Sequence, residues 1–173
     1  MRLSQDAFAP YGSVLRRGDP VRVNDGFATR SDALADLACS DPSARLCLSL
    51  FDVGVRPAFI VISELERHPY SAQVFLPVSP CRALVVVAGT TAEGDVDLDT
   101  MAAFIAAPGD GILYAPGVWH LGLTSLDRAG QFQMATWSGD LPDTQIRRLD
   151  RPFTIDGSAS SVLAPEPDES AAR

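Results

Sequence analysis

Only two histidines occur in the 173 residues, His68 and His120, and each stands among other groups able to bind an ion or move a proton. The first lies in ELERHPYSAQVFLPV, residues 64 to 78, with Glu64, Glu66 and Gln73. The second ends PGDGILYAPGVWH, residues 108 to 120, after Tyr114 and Trp119. Imidazole is the side chain that changes charge near neutral pH, and it serves equally as proton shuttle or metal ligand. Taken alone, His68 precedes Pro69, is biased to an extended backbone, and could simply end a strand with its ring on a carbonyl. Glu64 and Glu66, two residues apart, would share one face of a strand and could raise one another's pKa, or one could only pair with Arg67 or another base. Tyr114 and Trp119 are candidates to line a pocket, against the plainer role of core or dimer contacts. Arg30 and Arg82 are candidate carboxylate clamps, against surface salt bridges.

The elements that position these groups read as strands. From Leu46 onward the chain runs LCLSLF, AFIVISE, QVFLPV, RALVVVA, MAAFIA, GILYA and QFQMATW, short β-rich runs separated by Pro, Gly, Asp and Ser. In QVFLPV, Gln73, Phe75 and Pro77 share one face and Val74, Leu76 and Val78 the other, whereas RALVVVA is apolar on both faces. A barrel covered on one side by helices or by a second subunit would account for that strand. Gly109-Asp110 opens a turn, Gly111 to Ala115 reads as a strand, and Pro116-Gly117 turns the chain again just before His120. One short helix is predicted within residues 4 to 11 and another over Asp32 to Ala38 with Ser31 as N-cap.

Length and a 46% hydrophobic content suit a single domain over 1–156, followed by a flexible C-terminal tail, 157–173, that is rich in small, acidic and proline residues. A formal net charge of -8 argues against nucleic acid as a partner. No basic run suits a membrane surface, and no apolar stretch approaches the roughly 20 residues of a membrane span. Cys39, Cys47 and Cys81 have no CxxC spacing and read as reduced, and the N-terminus lacks the apolar segment of a signal peptide, so a cytoplasmic location is expected.

GD, a short strand, a Pro-Gly turn and then x-x-H resembles the second cupin motif, with the proline shifted by one place. Glu66-Arg67-His68-x4-Gln73 has the spacing of the first motif, with Glu for its first His and Gln for its final Glu. The resemblance implies an all-β, cupin-like double-stranded β-helix barrel, or jelly roll, with short peripheral helices. It also implies that Glu66, His68, Gln73 and His120 gather at the barrel mouth, where they could hold a divalent ion. Mixed ligands of this kind suit labile nickel, manganese or iron better than closed structural zinc. A metal-free acid/base site remains the alternative.

The likeness extends further. ELERHP before a Q-x-F-x-P strand, VVVA, AFI, the Gly-Val-Trp-His segment, and earlier Phe8-x-x-Tyr11-Gly12, Val23-Asn24-x-Gly26 and Arg30 resemble the ureidoglycolate lyase family of allantoin catabolism, over residues 4 to 155. That family implies a carbon-nitrogen lyase of the amidine-lyase type that cleaves ureidoglycolate to glyoxylate and urea, and a homodimer. Glu66 or His120 would be the base, His68 an acid or ligand, and Arg30, Gln73, Tyr114 and Trp119 would bind substrate. The chain departs from the family at Asp52, Leu121, Thr136 and Trp137, which cost it one imidazole and two guanidinium groups. Those departures keep open a cupin lyase, isomerase or hydratase for another small hydroxy or oxo acid, and a non-catalytic small-molecule-binding cupin.

Overall fold

A computed structural model describes residues 1–32, 34–56, 59–156 and 161–162. Helix α1 (Gln5–Phe8) begins the fold, with Ser4 as N-cap accepting from the Ala7 amide. It is shorter than the predicted residues 4 to 11 because Pro10 has no amide hydrogen with which to continue the helix. Strands β1 (Gly12–Leu15), β2 (Val21–Val23), β3 (Ala28–Arg30), β4 (Arg45–Val53), β5 (Phe59–Arg67), β6 (Gln73–Pro77) and β7 (Ala83–Thr90) follow. The series continues with β8 (Val96–Ala106), β9 (Gly111–Tyr114), β10 (Trp119–His120), β11 (Thr124–Ser125), β12 (Gly130–Ser138), β13 (Gln145–Asp156) and β14 (Ser161–Val162).

The fold is all-β, a jelly roll of curled antiparallel sheets. One sheet runs β1-β9-β6-β12-β4; the other runs β11-β7-β10-β5-β13-β14 with β8 on the far side of β7; β2 and β3 form a small ribbon. Between the two sheets lies an apolar cluster that includes Phe8, Phe75, Phe104, Phe132 and Tyr114. As the alternation in QVFLPV predicts, Phe75 joins this inner cluster while Val74 packs outside with Leu15 and Leu113.

Strand β7 is buried on both faces. Ala83, Val85 and Val87 enter the inner cluster, and Leu84, Val86 and Ala88 enter a second one with Ile60, Ile62, Leu65 and Ile155. Every strand in this second cluster belongs to β7's own sheet, so that sheet curls far enough to cover its second face. Neither helices nor a second subunit are needed for it, which corrects the expectation from sequence.

The predicted helix over Asp32 to Ala38 is absent from its described residues. This segment spends its hydrogen bonds on the loop after β5 instead: the Ala72 amide donates to the Ala38 carbonyl at 2.8 Å, and the Ser40 amide to the Tyr70 carbonyl at 2.9 Å. Tertiary pairing thus overrides a weak local preference. Of the predicted tail, Ser161 and Val162 pair in register with Asp156 and Ile155, and the rest of 157–173 lies outside the described residues.

Candidate active site

The two histidine segments meet because β10 lies between β5 and β7, with His120 opposite both Glu66 and Val87. Residues directly opposite on antiparallel strands point to the same side. Val87 belongs to the inner cluster, so His120 and Glu66 project between the sheets, and His68 follows Glu66 by the two-residue period of an extended chain. A second tether closes the mouth: the Gly117 amide donates to the His68 carbonyl at 2.8 Å. Gly117 adopts φ +79°, which a residue with a Cβ rarely does, so the Pro116-Gly117 turn depends on glycine here.

The ring centroids of His68 and His120 lie 5.5 Å apart, and one ligand atom from each of Glu66, His68 and His120 falls within 4.8 Å of the others. Each imidazole rests its Nδ1 on a backbone carbonyl, His68 on Asp143 at 2.6 Å and His120 on Val118 at 3.0 Å. With Nδ1–H donating there, each Nε2 is the nitrogen turned toward the site. Asp143 also fixes the loop after His68, its carboxylate accepting from the Tyr70 amide at 2.7 Å and from the Ser71 hydroxyl.

Four buried polar atoms here have no hydrogen-bond partner: Nε2 of His68, Nε2 of His120, Oε1 of Gln73 and Oη of Tyr114. Tyr114 stacks on His120 at 4.3 Å between centroids and pairs in register with Gln73. Buried polar groups are rarely left without a partner. A cluster of them between the two sheets is a site built for something that brings its own polar atoms.

His120 Nε2 stands 3.5 Å from Glu66 Oε1. That is at the outer limit of a hydrogen bond, yet the imidazole holds the Glu66 carboxyl below the usual carboxylate range, against the opposing effect of burial. Of the two readings of the Glu64–Glu66 pair, mutual raising does not hold for Glu66, and pairing of one carboxylate with another base does. Glu64 pairs with Arg148 at 3.8 Å. Burial, and after it the Glu66 charge, push the Tyr114 hydroxyl upward, so the phenol stays protonated.

A cavity of about 230 Å³ opens on the Glu66–His120 side, lined also by Arg56, Ser63, Glu64, Leu121 and Gly122. The remaining candidates are placed elsewhere. Trp119, next to His120 in a strand, points to the opposite face, into the second cluster and under the Arg67 guanidinium at 4.5 Å. Arg30 pairs with Asp32 on the exposed ribbon, and Arg82 with Asp127 at 3.5 Å, as surface salt bridges. Asp52 accepts from Gln131 at 2.9 Å on the outer strands. Arg56 and Asp143 were not singled out from sequence; one precedes a proline in a loop, the other acts on His68 from 75 residues away, and neither has a local signal.

The sequence profile of the ureidoglycolate lyase family matches residues 1–156. A ureidoglycolate lyase of Mesorhizobium japonicum is 36% identical over 140 residues, covering 80% of this chain and 84% of that protein. One from Burkholderia cepacia is 32% identical over 144 residues, covering 82% and 80% respectively. Among solved structures, the dTDP-6-deoxy-D-glucose-3,5-epimerase RmlC from Legionella pneumophila is similar at a TM-score of 0.42 and 13% identity, covering 80% of this chain and 70% of that one.

Proposed function

The chain belongs to the ureidoglycolate lyase family, and from that premise we propose that it cleaves ureidoglycolate to glyoxylate and urea in allantoin breakdown, as a carbon-nitrogen lyase of the amidine-lyase type. The single observation that carries this reading is the meeting of two unpartnered imidazole nitrogens with an ionised carboxylate, of which Glu66 and His120 line a cavity suited to a small molecule. The reaction removes the substrate's hydroxyl proton, breaks the carbon-nitrogen bond and protonates the departing urea nitrogen, so no proton or water is consumed overall. Glu66 is the proton carrier we favour. Its side chain is 37% exposed at the cavity whereas His120 is 1% exposed, so substrate reaches the carboxylate directly. The carboxylate takes the hydroxyl proton as the carbonyl forms and returns it to the leaving nitrogen. Tyr114, kept protonated, donates a hydrogen bond to whatever oxygen lies against His120.

The donor set also fits a divalent ion, because Nε2 of His68 and of His120 has no hydrogen-bond partner and, once deprotonated, is the ligand form that metals require. Glu66, His68 and His120, with Gln73 as a fourth donor, would hold nickel, manganese or iron. Such an ion, when bound, supplies Lewis-acid polarisation of the substrate's carboxylate and hydroxyl. The test is incubation with ureidoglycolate and a panel of hydroxy acids, with and without a chelator, followed by product analysis. Glyoxylate and urea in equal amounts are expected; turnover of another hydroxy acid in their place would transfer the site to a different substrate.

A homodimer belongs to the same reading. Strand β4 ends its sheet with an unpaired edge and presents Leu46, Leu48 and Leu50 outward at 50%, 69% and 57% exposure. The register sets Leu46 beside Trp137 and Leu48 beside Ala135. A long apolar edge strand invites uncontrolled pairing unless something covers it, and a second copy would do so. Leu48→Glu is expected to convert the dimer to a folded monomer, read by light scattering after size exclusion; an unchanged dimer mass would place the interface elsewhere.

A further inference from the structure

On the reading of the site just given, we propose that Arg56 is the residue that holds the substrate's carboxylate. The substrate is an anion, yet the cavity it must enter carries Glu64 and Glu66 on its wall. Two carboxylates repel a third unless a cation faces it. The guanidinium groups suggested by sequence are engaged elsewhere, Arg30 with Asp32 and Arg82 with Asp127, and the cavity-lining Glu64 already occupies Arg148. Arg56 lines the same cavity as Glu66 and His120, and its guanidinium makes no hydrogen bond or ion pair among the described residues.

Its backbone, in contrast, is held. Val55 bridges Ser125, and the Arg56 amide donates to the Ser125 carbonyl at 3.1 Å. Ser125 is buried and sits on β11, the end strand paired with β7, so the segment carrying Arg56 is fixed to the sheet that bears His120. A fixed backbone with a free planar fork of donors is the arrangement that takes a carboxylate by two parallel hydrogen bonds. Arg56 thereby replaces, from a loop, the guanidinium that Asp52 denies the preceding strand.

Arg56→Met and Arg56→Lys test this. In the methionine variant KM for ureidoglycolate should rise roughly 10- to 100-fold, the factor for a lost charge-assisted hydrogen bond, while kcat changes far less. Affinity for glyoxylate, measured by calorimetry on the same protein, should fall by a similar factor, and lysine should restore part of both. Unchanged KM and glyoxylate affinity in Arg56→Met would overturn the assignment, as would a loss confined to kcat. If the wild-type protein proves inactive on ureidoglycolate, the proposed reaction fails, but the comparison of glyoxylate affinities between wild type and Arg56→Met still decides whether Arg56 binds carboxylate.

Discussion

Ureidoglycolate turnover should fall by about a hundredfold to ten-thousandfold when either His68 or His120 is replaced by alanine, because both imidazoles help keep Glu66, the proton carrier, ionised, and loss of a positioned acid/base group costs that range. The two substitutions act on different parts of one geometry. His120 is buried beneath Tyr114 and next to Glu66, and its removal both frees the carboxylate from the imidazole that keeps it ionised and opens space in the inner cluster. His120→Gln, which keeps most of the volume, separates chemistry from packing: turnover should stay low while the melting temperature recovers. His68 is anchored by the Asp143 carbonyl and only half-buried, so His68→Ala should cost little stability. Binding of nickel or manganese, followed by calorimetry, should weaken in both alanine variants. Full activity in both would remove the imidazoles from the mechanism.

Part of this site was legible in the chain and part was not. Glu66 and His68 are two apart in a segment that reads as extended, so their shared face follows from strand periodicity alone. That His120 would face them depends on β10 inserting between β5 and β7 in the register His120 opposite Glu66, and nothing within either segment dictates that register. Here the cupin spacing supplied what local physics could not. Trp119 is instructive, since the structure sets it on the face away from the histidines. Its neighbour His120 faces the inner cluster, and consecutive strand residues point apart, so its exclusion from the histidine side was available from the same rule that placed Glu66. Arg30 was drawn to Asp32, two residues away, a pairing that sequence could only rank as an alternative.

The fold shows the same division. Seven β-rich runs separated by turn residues were enough to predict an all-β sandwich or barrel, the cupin resemblance narrowed it to a jelly roll, and the doubly apolar β7 was correctly read as buried on both faces. What covers its outer face was not legible, because Ile60, Ile62 and Ile155 arrive from strands far away in sequence on either side of β7. The missing helix after Ser31 fails for a related reason. Its helical preference is weak, and the backbone groups of residues 38 to 40 find partners at residues 70 to 72, across a separation no local pattern encodes.

Stability should depend most steeply on Asp110, the acid of the Gly-Asp turn before β9. Its carboxylate receives Arg16 Nε at 2.6 Å and Nη2 at 2.8 Å, and also the Ala107 amide at 2.9 Å, while Arg16 reaches the Leu3 carbonyl at 3.0 Å. One buried acid therefore ties together the N-terminus, the end of β1 and the turn that launches β9. Breaking a fully buried pair costs about 3–5 kcal/mol, but Arg16 is 43% exposed and water can take up its charge, so Asp110→Asn is expected to cost about 2–3 kcal/mol. The Arg16 guanidinium holds the Asp110 carboxyl below the usual carboxylate range. A group whose folded pKa lies below its unfolded value of about 3.9 lends its full stabilisation above that value and loses it as pH falls through the folded one. Urea unfolding of wild type and Asp110→Asn should thus show the widest gap near pH 7 and a narrowing gap below about pH 4. Asp41, Asp95 and Asp127 are also held low, but at exposed positions, and they are common to both proteins, so they cancel in the comparison. A gap that stays constant down to pH 3 would mean that Asp110 acts through its shape in the turn and not through its charge on Arg16.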